Sequence, residues 1–225
     1  MSDRCFADRN AAGRALAETV ARHVGQIGVD RQPLVLALPR GGVPVAARVA
    51  EAIGAELDLI IARKIGAPGR PELGVGAIAE NGPAVFDEET LRQLGLHQAD
   101  LAGTVERERA ELARRSRQYR GGRPVPDTAD RIVVVVDDGV ATGVTARAAL
   151  RWLRQRPARS LILAAPVCSR EAYHALAADA DVVICLERPI RFDAVSKWYL
   201  DFAQLTDADV ARVLAAYQDA AEPRR

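Results

Sequence analysis

The sequence predicts an α/β fold in which a parallel sheet is flanked by helices. Short apolar runs alternate along the chain with segments whose hydrophobic residues recur at helical spacing. The apolar runs are nearly continuous, which is typical of parallel strands that helices cover on both faces. With 225 residues, of which 49% are hydrophobic and 27% charged, the chain suits one compact domain, with or without a small appendage.

The first half of the chain predicts a helix followed by a βαβ unit. The helix is supported by Ala12, Leu16, Val20 and Val24, which recur at helical intervals. The predicted elements are a helix at about 8–27, a strand at 33–38, a turn at Gly41 and Gly42, a helix at 43–54 and a strand at 56–65.

Two segments of different character follow this unit. Residues 66–82 are dense in glycine and proline, which favours a long mobile loop of the kind that often carries function. Residues 88–119 have mixed charges, with Leu101, Val105 and Leu112 at helical spacing, and predict a solvated amphipathic helix. Glutamates interrupt its arginines, so a nucleic-acid-binding arm is the weaker interpretation.

The second half continues the alternation of strands and helices. Its predicted elements are a strand in the valine run, a helix at 145–156, a strand at 160–167, a helix at 171–180 and a strand at 181–187. We therefore expect a core at 1–187, followed at 188–225 by a small C-terminal hood subdomain with a final helix at about 207–219.

The overall charge argues against partners that bind through a global field. Lysine and arginine number 31 against 30 aspartates and glutamates, so we expect neither nucleic acid nor a membrane as a partner. No apolar run approaches the roughly 20 residues of a membrane helix, and MSDRCFADRN lacks the apolar core of a signal peptide. These features predict a cytoplasmic protein whose chemistry is local.

The stretch RIVVVVDDGVATGVTA, residues 131–146, places two carboxylates where a buried strand ends. Ligands of parallel α/β sheets bind beyond such ends, so Asp137 and Asp138 are candidate site residues. The next residues supply turn-forming glycines and hydroxyls at a helix N-terminus, which can bind phosphate: Gly139, Thr142, Gly143 and Thr145. Because the acids would repel that phosphate, they must face hydroxyl donors or a cation, as in a magnesium-bound sugar phosphate.

The same stretch, VVVVDDGVATGVT, resembles the phosphoribosyl pyrophosphate (PRPP) signature of type I phosphoribosyltransferases. The resemblance implies the type I phosphoribosyltransferase-like fold, with Asp137 and Asp138 contacting the ribose 2′- and 3′-hydroxyls and bound Mg²⁺. The loop that would cradle the 5′-phosphate consists of Ala141, Thr142, Gly143, Val144 and Thr145. Gly139 departs from the signature, since an aliphatic residue or serine is usual there. The alternative is an ordinary turn with a helix cap.

The stretch LPRGG, residues 38–42, follows the order of motifs in that family. It lies where these enzymes bind pyrophosphate through backbone amides, often with a strained peptide bond. The resemblance assigns those amides to Gly41 and Gly42, and Arg40 would add charge to the contact. A solvated surface role is the alternative for this short motif.

The stretch ARKIGAPGRPELGVGAIAE, residues 62–80, lies where the family has its mobile catalytic loop. Arg63 and Lys64 resemble the basic pair near the start of that loop. The resemblance implies that this pair and Arg40 are the catalytic residues, and that closure of the loop keeps water from the reacting carbon. A role as ordinary surface charges is the alternative.

Nearly all of residues 8–215 is similar to a family of bacterial stand-alone phosphoribosyltransferases, through LPRGGVPVA, ARKIGAP, ELGVGAIAE and WYLDFAQLTDADV. The resemblance implies a homodimer that uses PRPP and Mg²⁺ to transfer a 5-phosphoribosyl group to a nitrogen acceptor such as a nucleobase, releasing pyrophosphate. Ala141 and Val144 stand where 6-oxopurine enzymes have aspartate and lysine, which disfavours guanine and hypoxanthine. A regulator that binds PRPP or a nucleotide without turnover, and a phosphohydrolase or phosphotransferase of another α/β class, are the alternatives.

An aromatic cluster near the C-terminus permits two interpretations. Its members are Phe192, Trp198, Tyr199 and Phe202. Trp198 could stack on a flat base as part of a hood, with Lys197 contacting an exocyclic oxygen. Alternatively, the cluster forms a small satellite core that anchors the last helix.

Overall fold

The computed structural model describes residues 5–28 and 30–221 and confirms the alternation of helices and strands. Its helices are α1 (Arg9–Ile27), α2 (Gly42–Ile53), α3 (Glu88–Leu94), α4 (Ala102–Arg120), α5 (Val144–Leu153), α6 (Arg170–Leu176) and α7 (Asp207–Ala221). Its strands are β1 (Leu34–Ala37), β2 (Glu56–Leu59), β3 (Ala62–Ala67), β4 (Arg70–Ala79), β5 (Val85–Phe86), β6 (Ile132–Val136), β7 (Ser160–Val167) and β8 (Val182–Glu187). Short 3₁₀ helices lie at Gln98–Leu101 and Val195–Trp198.

A five-stranded parallel sheet, in the order β2-β1-β6-β7-β8, forms the centre of the fold. In its register, Val35 lies beside Val134, and Val134 lies beside Ile162. The strands are short runs of β-branched and aliphatic residues, which suit a sheet that is buried on both faces. The predicted parallel sheet flanked by helices is confirmed.

Alternate residues of the strands build two hydrophobic layers. Val35 and Val134 belong to the layer that contains the buried faces of α1 and α2. Leu34, Leu36 and Val133 belong to the layer that contains the buried face of α5. Because successive strand residues point to opposite faces, one apolar run supplies both layers.

The prediction of a single strand at 56–65 is wrong, because the chain changes sheets in the middle of it. β2 belongs to the central sheet, whereas β3 opens a separate antiparallel sheet in the order β3-β4-β5. Ile60 still donates its N–H to Ala37 O at 3.0 Å, but Ile61 donates to Glu80 Oε1 at 2.7 Å. Both isoleucines are fully buried, so the apolar run gives no sign of this change of partner.

The predicted mobile loop at 66–82 is mostly a β-hairpin strand, which corrects the interpretation of its glycines. β4 runs antiparallel to β3, with register shifts near the turn. A Cβ on Gly74 would lie 2.8 Å from Lys64 Cδ, and one on Gly76 would lie 2.7 Å from Val85 O. These glycines permit close packing within the hairpin, and composition alone does not distinguish that use from flexibility.

The limits of some helices differ from the prediction. The segment 88–119 forms α3 and α4 with a 3₁₀ turn between them, because Gly95 ends α3 with a φ of 65°, a conformation that suits glycine. α5 ends at Leu153, before the predicted end at 156. Across the described ranges, none of these helices is both long and apolar enough to cross a membrane.

The N-terminal and C-terminal segments meet beside the end of β7. Phe6 forms a parallel bridge with Tyr199; its N–H donates to Trp198 O at 2.8 Å, and its carbonyl accepts from the Leu200 N–H at 2.8 Å. Phe6, Trp198 and Tyr199 also share a buried cluster with Val167, the last residue of β7. Residues from both ends of the described chain therefore lie close to the carboxyl ends of the central strands.

Candidate functional site

The acid pair lies at the carboxyl end of β6. The strand ends at Val136, and Asp137 and Asp138 follow at once. The Asp138 N–H donates to Asp137 Oδ1 at 2.9 Å. Desolvation of the Asp137 carboxyl, together with the nearby charge of Asp138, raises the pKa of Asp137 well above its ordinary value. Asp137 therefore resists ionisation.

Arg9 forms an ion pair with Asp138. Its Nε lies 2.7 Å from Asp138 Oδ2, and the two side chains are only 11% and 12% exposed. The same guanidinium donates from Nη1 to Ala203 O at 2.8 Å and lies 3.8 Å from the centre of the Phe202 ring. Tyr199 donates its hydroxyl to Asp138 O at 2.5 Å. The start of α1 and the C-terminal segment thus cover Asp138 from one side.

Neither Arg9 nor Tyr199 is a site residue that the sequence predicts. Arg9 is 129 positions from Asp138 along the chain, and Tyr199 is 61 positions from it. Neither residue belongs to a motif with the acid pair. Tyr199 belongs to the aromatic cluster near the C-terminus and to the stretch WYLDFAQLTDADV, but neither signal indicates what its side chain contacts.

The loop that contains LPRGG lies directly against the acid pair. A Cβ on Gly41 would overlap the Asp138 carboxylate, and one on Gly42 would lie 2.6 Å from Val136 O. Leu38 donates its N–H to the same Val136 carbonyl at 2.9 Å. The structure thus brings together the two motifs that the sequence related only by their order, and glycine at both positions permits the contact.

Arg40 faces the start of α7. The peptide bond that joins it to Pro39 is cis. Its Nη1 donates to Leu205 O at 2.5 Å, and its Nε lies 3.6 Å from Asp207 Oδ1. Tyr119 also donates its hydroxyl to Asp207. Arg40 therefore extends from the predicted pyrophosphate-binding loop towards α7, where Asp207 partly compensates its charge.

The loop after the acid pair presents unpaired N–H groups at the N-terminus of α5. Within the part of the chain that the structure describes, no N–H group of residues 141–145 donates to another protein group. Gly143 turns the chain into the helix with a φ of 74°, and Ser169 Oγ donates to Ala141 O at 2.6 Å, which holds the loop from its outer side. Such a set of N–H groups can bind a phosphate.

Packing explains why glycine stands at the position that departs from the family signature. A Cβ on Gly139 would lie 2.5 Å from Val195 Cγ1 and 3.0 Å from Val167 Cγ1. Val195 belongs to the 3₁₀ helix of the C-terminal segment. That segment fills the space beside Gly139, so a larger side chain could not be accommodated without a shift.

The structure does not bring the basic pair to the acid pair. Arg63 Nε lies 2.8 Å from Glu108 Oε2 on α4. Lys64 donates from Nζ to Glu72 O at 2.8 Å, and the Glu72 carboxylate lies 3.8 Å away. Both basic residues line a cavity of about 440 Å³ between the β3–β4 hairpin and α4. Their predicted catalytic role therefore requires the hairpin to move.

The aromatic cluster forms a satellite core. Trp198 is 7% exposed and Tyr199 is 6% exposed, and both pack with residues of the N-terminal segment. Phe192 and Phe202 pack against this cluster from its edge. Lys197 pairs with Asp193 at 2.6 Å on the surface. This arrangement favours the satellite-core interpretation over direct stacking of Trp198 on a base.

The acid pair as arranged does not fit a cation held by protein ligands alone. Among the described residues, no group of three histidine, cysteine or acidic side chains is placed to hold a metal ion. Asp138 Oδ2 is already paired with Arg9. A magnesium ion at this corner would therefore have to arrive with ligand oxygens of its own.

Comparisons with known proteins relate most of the chain to one family. A family model described as the phosphoribosyl transferase domain matches residues 6–201. Two proteins from Mycobacterium tuberculosis strains, each named "Putative phosphoribosyl transferase", are 40% identical over 220 residues. The match covers 97% of this chain and 48% of each relative, so the chain spans about half the length of these relatives.

A solved structure is similar over almost the whole chain. The crystal structure of TT1426 from Thermus thermophilus has a TM-score of 0.77 and 43% sequence identity, and the match covers 95% of this chain and 99% of that one. The shared architecture therefore extends well beyond the central sheet.

Proposed function

The chain belongs to the phosphoribosyl transferase domain family, and from this premise we propose that it transfers the 5-phosphoribosyl group of PRPP to a nitrogen acceptor, such as a nucleobase, with release of pyrophosphate. One observation carries the proposal. The acid pair, the Gly41–Gly42 turn and the unpaired N–H groups of residues 141–145 meet at one corner of the sheet. These three parts would suit the ribose hydroxyls, the pyrophosphate and the 5′-phosphate of PRPP.

The reaction would break the bond between C1 and the pyrophosphate oxygen and form a bond between C1 and the acceptor nitrogen, which then loses its proton. The transition state would resemble an oxocarbenium ion, so the protein would act mainly by positioning and electrostatics. In this proposal Mg²⁺ arrives as the magnesium complex of PRPP, as part of the substrate. Arg40 and the amides near Gly41 would stabilise the leaving pyrophosphate.

The contacts of Asp138 suggest how the ribose would bind. Arg9 pairs with Oδ2, and the Asp138 carboxylate also shares a side-chain hydrogen bond with the Asp137 carboxyl. We propose that a ribose hydroxyl donates to Oδ1 while Arg9 holds the carboxylate in place. Such a charge-assisted hydrogen bond contributes about 1.5–3 kcal/mol.

A second candidate function is supported by the position of the basic pair. Arg63 and Lys64 contact Glu108 and Glu72 rather than the acid pair. A protein that binds PRPP or a nucleotide without turnover needs no catalytic loop, so this arrangement would also suit a regulatory protein on the same fold.

Pyrophosphate release from PRPP distinguishes the two functions. PRPP and Mg²⁺ would be incubated with a panel of purines, pyrimidines and small amines, and with a blank that lacks an acceptor, while PRPP binding is measured in parallel. Release with one acceptor supports the transferase and identifies its substrate. PRPP binding without release across the panel favours the regulator.

Substitution at Asp138 tests the site itself. Asp138→Asn is expected to weaken PRPP binding about tenfold or more, because the charged acceptor is lost. The control is Asp127→Asn, at a carboxylate that is 67% exposed, pairs with Arg31 and accepts the Ala129 N–H. If Asp138→Asn and Asp137→Asn both bind PRPP as tightly as the unchanged protein does, the assignment is wrong.

A further inference from the structure

An arginine-lined cavity lies apart from the acid pair. It is open to solvent, has a volume of about 500 Å³ and is lined by α4, the loop that follows α4, the turn after β4, and the C-terminal end of α5. Five arginines line it: Arg109, Arg117, Arg120, Arg123 and Arg156. None of these residues belongs to a motif that the proposed transfer reaction uses.

The cavity has a strong excess of positive charge. Glu80 is the only acidic residue of its lining. It is already engaged, since its Oε2 lies 2.5 Å from Arg120 Nη2 and its Oε1 accepts the Ile61 N–H. Arg117 and Arg123 have no carboxylate within ion-pair distance in the described part of the chain. Asp58 lies outside the lining, and the positive charges of Arg120 and Arg123 act on its carboxyl group.

Arg120 is buried and incompletely paired. Its exposed fraction is 3%, its Nη1 donates to Leu59 O at 3.2 Å, and its Nη2 also donates to Ser116 Oγ at 2.9 Å. Its Nε is buried and has no hydrogen-bond partner. An unpaired buried donor on a cation is unfavourable, so the positive charge of Arg120 is incompletely compensated by its protein partners.

Beside the C-terminal end of α5, the cavity lining holds another guanidinium, which is stacked on an indole. Arg156 lies 3.5 Å from the centre of the Trp152 ring. The indole itself is held because its Nε1 donates to Asn81 Oδ1 at 3.0 Å. A guanidinium stacked in this way keeps its N–H groups free for an anion.

We propose that this cavity binds a small anion with several phosphate groups, either an inorganic polyphosphate or a nucleoside polyphosphate. Arginine forks match phosphate oxygens in bidentate geometry, and several of them together suit a ligand with several negative charges. The volume lies within the range of small-molecule sites, about 300–1,000 Å³. The proposal does not depend on the transfer reaction.

The site is separate from the phosphate loop of the acid pair. α5 begins at Val144 beside that loop and carries Trp152 near its other end. At about 1.5 Å per residue, the helix separates the two places by roughly 12 Å along its axis. A ligand in the cavity would therefore not occupy the phosphate loop.

The test is a titration with sodium tripolyphosphate at constant low ionic strength, without Mg²⁺. Trp198→Phe leaves Trp152 as the only tryptophan of the chain, so its fluorescence reports on the cavity, and calorimetry of the unchanged protein supplies an independent affinity. Saturable binding that changes the Trp152 emission is expected. Absence of saturable binding would overturn the proposal.

The double variant Arg117→Gln/Arg123→Gln provides the decisive comparison, because both side chains are exposed and their loss should not unfold the protein. Affinity is expected to fall about tenfold or more. The matched control, Arg14→Gln/Arg22→Gln, removes the same charge from exposed positions of α1 and should bind normally. Equal weakening in both variants would indicate attraction by net charge and would overturn the proposal.

Two further ligands separate the possible sources of phosphate. ATP binding as tightly as tripolyphosphate would support recognition of the phosphates alone, whereas tighter ATP binding would support a nucleoside polyphosphate. An RNA oligonucleotide that binds while both small anions fail would overturn the proposal in favour of a nucleic-acid surface.

Discussion

The corner formed by the acid pair and the Gly41–Gly42 turn differs from the β3–β4 hairpin in how its charges are held. The Arg9 and Asp138 side chains of the corner are 11% and 12% exposed, and each makes further contacts. The Lys64 and Glu72 side chains of the hairpin are 44% and 99% exposed. Exposed ion pairs contribute little stability, whereas nearly buried ones are costly to break. The corner is therefore preformed, and the charges of the hairpin are free to move.

The largest effect is expected when the nearly buried pair of the corner is broken. Arg9→Met leaves the Asp138 carboxylate without its partner and should lower the free energy of unfolding by about 3 kcal/mol. Arg22→Met, at an exposed position of the same helix, should change it by less than about 0.5 kcal/mol.

Urea unfolding of Arg9→Met, of Asp138→Asn and of the double variant would measure the interaction free energy between Arg9 and Asp138, with Arg22→Met as the control. A double variant that is less destabilised than the sum of the single variants would support a paired arrangement. Simple additivity would contradict it and would place Arg9 among ordinary surface charges.

A smaller effect is expected from one methyl group at the contact between the two loops. Gly41→Ala would place a Cβ on the Asp138 carboxylate and should cost about 1–3 kcal/mol of stability, together with PRPP affinity. Gly25→Ala is the control, since nothing lies within 4 Å of its Cβ and alanine favours a helix. Thermal unfolding and a PRPP titration would check both variants; normal affinity in Gly41→Ala would contradict a rigid corner.

The raised pKa of Asp137 predicts a change of stability with pH. The folded protein binds this proton more tightly than the unfolded chain, so stability should fall as pH rises from about 4 towards the raised pKa. Asp137→Asn removes this contribution, at most about 1.4 kcal/mol per pH unit. Urea unfolding over a pH series should show that the free energy of unfolding of the variant rises relative to that of the unchanged protein as pH rises. A difference between the two free energies that stays constant with pH would refute the prediction.

The smallest effect on stability is expected in the hairpin. Lys64→Ala removes an exposed pair and should change the free energy of unfolding by less than about 0.5 kcal/mol. PRPP affinity should stay nearly constant, while pyrophosphate release slows if the hairpin closes on the site. Lys64→Arg should retain part of the rate. Loss of PRPP binding in Lys64→Ala, with normal stability, would mean that the hairpin belongs to the resting site.

Much of the fold follows from patterns of near neighbours along the chain. Apolar runs predicted the central strands, and helical spacing predicted α1 correctly. The errors arose where one local pattern suits two structures. The run at 56–65 supplies strands to two sheets, and the glycines of 66–82 allow close packing in a hairpin as well as a loop.

Some parts of the candidate site could likewise be predicted from the sequence, and others could not. The acid pair and the loop at 141–145 that we propose binds phosphate could be located from the sequence, because they are contiguous and lie at a predicted strand end. The position of the Lys64 side chain could not be predicted, because its contacts depend on where the hairpin packs. Whether Trp198 faces a ligand or a core was also open in the sequence, and the packing of the chain ends buries it.

By itself, the sequence determined the parallel sheet, the acid pair at the end of β6 and the glycine-containing loop at 139–145 that follows it, since all three depend on residues within a few positions of one another. Only the tertiary structure decided that Arg9 pairs with Asp138, that Gly41 contacts the same carboxylate, and that five arginines share one cavity. The physical reason is that burial brings together side chains that are distant in the chain, and their charges acquire partners only when the whole chain packs.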